Sequence, residues 1–447
     1  MSAPVRLPPR LRHIAPLLSR RLWIARIVTW GGAFAVSLTA LAFARGADMA
    51  QQLLLWLLHG RPLAAILVAP AGLALSVWLT RRYFPGAQGS GIPQTIAALH
   101  LTDLKAIDTV LSLRVALGKV TLTLLGLACG ASIGREGPTV QIGAALMHAL
   151  GRAFHLPRLD LRRSLVLAGG AAGVAAAFNT PLAGVVFAIE ELSHSFETRT
   201  SGTVLTAVIL GGITTMALAG NYTYFGTTPA ELDFGAGWLA VALCALAGGL
   251  AGGLFSTALV AAGKGLPGRA GRLLIRHPVG FAALCGLVLA GIGLLSGGST
   301  YGTGYAQARG VVEGTATLPP LYALLKLLAT VVSYLSGMPG GIFAPSLSVG
   351  AGLGEWLAGL VPRAPESAVV LLGMVAYFSG VVQAPITATI IVMEMTDNQR
   401  MTIPLLATAM LAFGVSRLVC PRPLYGALAR RFQAAVERRQ TDVMTSS

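Results

Sequence analysis

The sequence predicts an all-α polytopic membrane protein whose interrupted helices form two repeated halves, and three observations carry that prediction. Only 11% of the 447 residues are charged and 54% are hydrophobic, against roughly a quarter charged in a soluble domain. A soluble globule of this composition would need an impossibly large dry core, whereas a lipid solvent accepts it. Glycine (55) and proline (24) recur inside the apolar stretches, which favours broken helices over clean rods. The third observation is an internal repeat.

Taken in chain order, Arg6, Arg10, Arg12, Arg20, Arg21 and Arg26 precede the first hydrophobic segment with no acidic residue among them. This opening is too long, basic and proline-containing for a cleavable signal peptide. Shorter or broken apolar pieces are expected around Ile27 to Ala44 and Leu53 to Leu58. Uncharged stretches long enough to span follow at Leu165 to Ile189, Trp238 to Gly263, Pro278 to Ala308 and Ser367 to Met393. The tail carries Arg430, Arg431, Arg438 and Arg439, and 22 residues past Tyr425 are too few for an appended regulatory domain. With basic residues at both ends, the positive-inside rule places both termini in the cytoplasm and makes the number of complete crossings even. The basic stretches Arg152 to Arg163 and Lys264 to Arg276 are expected on that same side.

The formal net charge is +16, but its cations punctuate apolar runs instead of gathering on one solvated face, so no nucleic-acid partner is expected. Cys129, Cys244, Cys285 and Cys420 lie far apart with no CxxC pattern, which argues against a disulfide framework or a metal site.

The repeat is specific. Gly134-Arg135-Glu136-Gly137-Pro138 and the eight residues after it align with Gly341-Ile342-Phe343-Ala344-Pro345 and its continuation at an offset of 207, with five identities. Pro181 to Glu190 aligns with Pro385 to Glu394 at an offset of 204, both runs ending in a carboxylate. Repeated halves with broken helices mark a transporter fold whose substrate sits at the repeat interface. The halves are expected at about 22–220 and 236–430, with cytoplasmic tails at 1–21 and 431–447, all within one transmembrane domain.

Three breaks carry the chemistry. At Gly134 to Pro138 the glycines let the backbone turn, and Pro138 suits a first helical turn. Such a helix N-terminus presents its dipole and free amides to an anion. Glu136 either serves that site or merely complements the dipole or pairs with Arg135. Gly340 to Pro345 is a similar break without charge, either a set of anion-binding amides or a glycine-rich packing joint. At Gly89-Ser90-Gly91-Ile92-Pro93, Ser90 either donates to an anion or caps its helix, and taken alone capping is the better reading. Neutral partial charges suit transport, since several weak donors bind an anion and release it. No Walker lysine or HExxH pattern is present, so no enzymatic activity and no cofactor are expected.

These residues resemble the CLC family of chloride channels and chloride/proton exchangers. The resemblance rests on Gly89 to Pro93, Gly134 to Pro138, Phe178-Asn179-Thr180-Pro181-Leu182-Ala183-Gly184, Gly341 to Pro345, Glu394-Met395-Thr396-Asp397 and Leu424-Tyr425. It implies two inverted-topology halves of broken, tilted helices, a homodimer with one pathway per subunit in the lipid bilayer, and chloride and protons as the species moved. Ser90 and Tyr425 match the hydroxyl donors of the central anion site, which the amides of Ile342 and Phe343 complete. Glu136, supported by Gly134, Arg135 and Gly137, matches the external gating and proton-transfer glutamate. Glu191 matches the internal proton glutamate, with Glu190 its nearest rival; without the resemblance both read as the solvated end of a span. Lys119 matches a buried basic residue behind the pathway, against a simple snorkelling lysine, and Tyr425 would otherwise be an interface aromatic. Gln94 stands where bacterial exchangers often have an acid, and the region of Thr303 departs from their usual loop. The resemblance to bacterial exchangers implies the bacterial inner (cell) membrane, and the expected activity is chloride/proton antiport. Alternatives are a passive chloride channel or an exchanger for another small anion.

Overall fold

Glycine and proline cut the apolar sequence into helices of very unequal length. The computed structural model describes residues 20–156, 159–193, 198–265 and 267–446. Arg6, Arg10, Arg12 and nearly all of the expected tail at 1–21 lie outside them. The first group of helices comprises α1 (Arg20–Leu58), α2 (Ala65–Tyr83), α3 (Ile92–His100), α4 (Leu104–Val110), α5 (Leu113–Ala128), α6 (Glu136–Ala153), α7 (Leu159–Phe178), α8 (Pro181–Phe187) and α9 (Thr198–Ala219). The second comprises α10 (Leu239–Lys264), α11 (Gly268–Arg276), α12 (Pro278–Leu295), α13 (Tyr305–Val312), α14 (Tyr322–Leu335), α15 (Phe343–Ala358), α16 (Glu366–Val382), α17 (Pro385–Thr396), α18 (Thr402–Val419) and α19 (Leu424–Ser446). Among the described residues no strand forms beyond two isolated bridges, and eight helical segments are long and apolar enough to cross a membrane. Large apolar side chains such as Trp56, Leu67, Leu295 and Leu418 stand exposed around the outside, a surface that suits lipid and not water.

Trp238 to Gly263 forms the single helix α10. The other long uncharged stretches are divided. Leu165 to Ile189 breaks at Asn179 and Ser367 to Met393 breaks at Gln383, both in the left-handed region at φ 57° and 59°. Each break is followed by a proline in the first turn of the next helix, where its missing N–H costs nothing. Pro278 to Ala308 turns at the glycines after Leu295 before entering α13. Conversely, the pieces expected at Ile27 to Ala44 and Leu53 to Leu58 are one helix of 39 residues. Arg45 and Asp48 between them lie on its exposed face, so the charges interrupt the apolar pattern without costing a backbone hydrogen bond. At 1.5 Å per residue α1 is about 58 Å long, nearly twice the ~30 Å hydrocarbon core, so it is tilted or projects beyond it.

The repeat is visible in the packing. Helix α6 lies on α7 as α15 lies on α16, and the crossings are equivalent. A Cβ on Gly143 would come within 2.2 Å of Gly169 O, and one on Gly350 within 2.6 Å of Gly373 O. Both pairs of backbones therefore touch where any side chain would hold them apart. The relation is also reciprocal. The Glu190 carboxylate accepts from the amides of Ile386 and Thr387 at the start of α17 (3.2 and 2.6 Å), while that of Glu394 accepts from Leu182 and Ala183 at the start of α8 (3.1 and 2.6 Å). Each half thus supplies the anion for a helix N-terminus of the other, worth roughly 0.3–1 kcal/mol apiece.

Candidate functional site

The three glycine-rich breaks predicted from sequence meet at the centre of the molecule. Gly134 and Gly341 exchange both backbone hydrogen bonds, at 2.7 and 2.8 Å, while Gly340 N donates to Gly89 O at 3.1 Å and Gly89 N to Met338 O at 3.3 Å. The loops can approach this closely because they carry no side chain. A Cβ on Gly341 would lie 3.1 Å from both Gly134 O and Gly137 N, and one on Gly137 would lie 2.4 Å from Ser90 Oγ. Stitching the loops together brings the first turns of α3, α6 and α15 to one place. The amides there, including those of Ile342 and Phe343, have no intrahelical acceptor.

Side chains complete the arrangement. Ser90 is 2% exposed and Tyr425 fully buried. Their hydroxyls are neighbours, yet neither makes a hydrogen bond to any protein group. Ser90 does not cap its helix, contrary to the simpler reading: the N-cap position falls on Gly91, and the Ser90 hydroxyl bonds no helix amide. Buried polar groups are nearly always satisfied, so two orphaned donors beside free helix amides describe a seat for an acceptor, which an anion is. Helix α19 packs on α3 and carries Tyr425 in its first turn. Phe343 fixes the start of α15, with ring centroids 5.9 Å from Tyr425, 4.8 Å from Phe378, 5.9 Å from Phe187 and 6.4 Å from Phe178. Such ring pairs contribute about 0.5–1.5 kcal/mol beyond burial, so the seat rests on a rigid platform.

Glu136 begins α6 and is wholly buried. Its carboxylate lies beside its own amide, the Ala344 amide of α15 and the Tyr224 phenol, but neither oxygen attains hydrogen-bond geometry. It stands where an anion bound to the N-termini of α6 and α15 would stand. Arg135 turns away from it: its Nη1 donates to Ala44 O at 2.7 Å and to Asp48 Oδ1 at 3.2 Å on α1. A cavity of about 240 Å³ opens beside this pair, with Arg45, Asp48, Arg135, Tyr222, Tyr224 and Tyr305 in its wall.

Glu190 and Glu191, adjacent in sequence, separate completely. They lie in a π-helical turn, Ala188–Ser193, that continues α8; such turns recur at functional sites. Glu190 is committed to the start of α17. Glu191 is 2% exposed, leaves Oε1 without a partner and lies near Tyr425. Neither is the solvated end of a span. Lys119 does not snorkel: fully buried, its Nζ donates to Gly89 O at 2.8 Å and Gln88 O at 3.3 Å, holding the loop that carries Ser90.

Sequence reading missed Asp48, Tyr224 and Lys326. Lys326 is also fully buried and donates to Thr300 O and Gly302 O at 2.9 and 2.8 Å. It anchors the Gly302-Thr303-Gly304 loop as Lys119 anchors Gly89-Ser90-Gly91, and it lies 207 residues after Lys119, the offset of the repeat, which was the signal available. Asp48 and Tyr224 had none, being 87 and 89 residues from Arg135 in chain.

A family model described as Voltage gated chloride channel matches residues 72–417. The chain is 31% identical over 434 residues to the H(+)/Cl(-) exchange transporter ClcA of Yersinia pseudotuberculosis, covering 91% of this chain and 87% of that protein. It is 32% identical over 394 residues to the transporter of the same description from Vibrio vulnificus, covering 85% and 82%. Among solved structures it superposes on a slow cyanobacterial Cl-/H+ antiporter with a TM-score of 0.78 and 26% identity, covering 93% of this chain and 99% of that one.

Proposed function

The chain belongs to the voltage gated chloride channel family, and from that premise we propose that it is a secondary active antiporter exchanging chloride for protons. The observation that carries the exchanger reading over a passive channel is a pair of buried carboxylates near Tyr425. Glu136 stands among the helix amides, and Glu191 is a second buried carboxylate close to the same tyrosine. A passive anion path needs no second buried carboxylate, and an unpaired buried charge is costly to keep.

Chloride sits between the Ser90 and Tyr425 hydroxyls and the amides of Ile342 and Phe343. Every donor there is neutral, so the ion is held weakly enough to leave. Glu136, when charged, occupies the amides of α6 and α15 in place of an anion. Once protonated it is neutral and yields to chloride. Glu191 delivers the proton from the inner side and Glu136 exchanges it at the outer side, so one movement depends on the other. Chloride and protons are the substrates, and no step calls for a cofactor or an enzymatic reaction. Gly134, Gly137 and Arg135 hold the gate in place, Lys119 holds the Ser90 loop, and Glu190 joins the halves at 22–220 and 236–430. Basic ends support cytoplasmic termini in a bacterial cell membrane. A homodimer with one pathway per subunit is the assembly that the family resemblance implies.

The anion seat is tested by chloride calorimetry on Ser90→Ala, Tyr425→Ala and the double variant. Each removes one neutral donor, on the order of 0.5–1.5 kcal/mol, so single variants bind several-fold more weakly and still transport. Wild-type affinity in the double variant would show that the hydroxyls are not part of the seat.

A further inference from the structure

The gate has a neighbour that neither the repeat nor the anion seat accounts for. Tyr224 lies in the loop between α9 and α10, 3% exposed, and is fixed on several sides. Its ring meets those of Phe178, Phe225 and Tyr305 edge-on at 5.5, 5.0 and 4.8 Å, and the Arg135 guanidinium lies 5.6 Å from its centroid. The loop itself is tied down by Phe225 N donating to Met395 O at 2.8 Å and by Asn179 Nδ2 donating to Tyr222 O at 3.0 Å. A tyrosine held this firmly, at the wall of the cavity beside Arg135, has its phenol in a fixed position. That position is next to the Glu136 carboxylate, whose two oxygens have no hydrogen-bond partner and so are open to a donor. The other charged and titratable groups facing Tyr224 are Arg135 from α6, Asp48 from α1, Tyr222 from its own loop and Tyr305 from α13.

We propose that Tyr224 is a positioning residue whose hydroxyl donates to the Glu136 carboxylate and retains it across the pathway, thereby setting how readily chloride displaces the gate. The proposal rests on the gating role of Glu136. A phenol is suited to the task because it donates to the carboxylate without adding the positive charge that would bind chloride tightly. The surrounding rings leave it no freedom to follow Glu136 when the gate moves, so retention ends as the carboxylate departs.

The test is chloride efflux and proton flux in proteoliposomes for wild type, Tyr224→Phe, Glu136→Ala and the double variant. Phenylalanine keeps the ring contacts and removes only the donor. The expected result is chloride efflux faster by about tenfold or more in Tyr224→Phe, the effect of losing a hydrogen bond to a charged group, with proton flux retained. In the Glu136→Ala background the same substitution changes nothing, because there is no carboxylate left to retain. An equal effect in both backgrounds would mean that Tyr224 acts on the fold and would overturn the proposal. So would unchanged efflux in Tyr224→Phe alongside accelerated efflux in Glu136→Ala. If Glu136→Ala itself left chloride and proton fluxes at wild-type levels, the gating role would fail first, and the proposal with it.

Discussion

Glu136→Gln abolishes proton movement and leaves chloride flux in place. Glutamine has nearly the volume of glutamate and accepts at the same position, so the fold at the head of α6 is preserved. It cannot bind and release a proton, so the outer exchange step disappears. The buried position makes the effect large. Glu136 has no solvent exposure, and Asp48, the carboxylate bound to the neighbouring Arg135, is held in that ion pair. Proton flux in proteoliposomes, recorded with chloride flux on the same vesicles, checks this. Undiminished proton pumping by the variant would remove Glu136 from the proton route.

The second large effect separates two adjacent residues. Glu191→Gln stops proton coupling while preserving substantial chloride flux, whereas Glu190→Gln leaves coupling intact. The structure supplies the reason for the contrast. Glu190 spends both oxygens on the amides of Ile386 and Thr387, and glutamine still offers an oxygen to that helix start. The loss is the charge–dipole part and one of the two accepted bonds, on the order of 1–3 kcal/mol together, seen as a drop in thermal stability. Glu191 makes no such commitment and stands buried beside Tyr425. If Glu190→Gln uncouples and Glu191→Gln does not, the inner proton step belongs to the helix cap and the present assignment is reversed.

What was legible in the sequence was what glycine, proline and repetition write locally. The breaks at Gly89, Gly134 and Gly341 were readable because glycines followed by a proline mark a turn into a new helix, and the repeat showed that two of them are equivalent. Their meeting at one point was not readable from any local pattern, since it depends on backbone bonds between Gly134 and Gly341, 207 residues apart. Where local reading failed, a remote or competing partner had decided the outcome. Ser90 was expected to cap its helix, but the helix starts one residue later, with Gly91 at the cap, and the hydroxyl is left free. Helix α1 was expected to break, but its charges point outward or reach Arg135. Glu190 and Glu191 read alike as the polar end of a span, and only the opposite half of the molecule, through the start of α17, distinguishes them.

Antiport requires that the movements of the two ions be coupled. Wild-type protein in chloride-loaded proteoliposomes, diluted into low-chloride buffer at equal pH, measures it directly. Chloride leaving alone makes the interior positive and drives protons out, so uptake of protons requires an exchanger that returns them as chloride departs. The prediction is sustained proton uptake that stops when the chloride gradient is removed. Chloride efflux with no proton uptake would identify passive conduction and contradict the antiport reading.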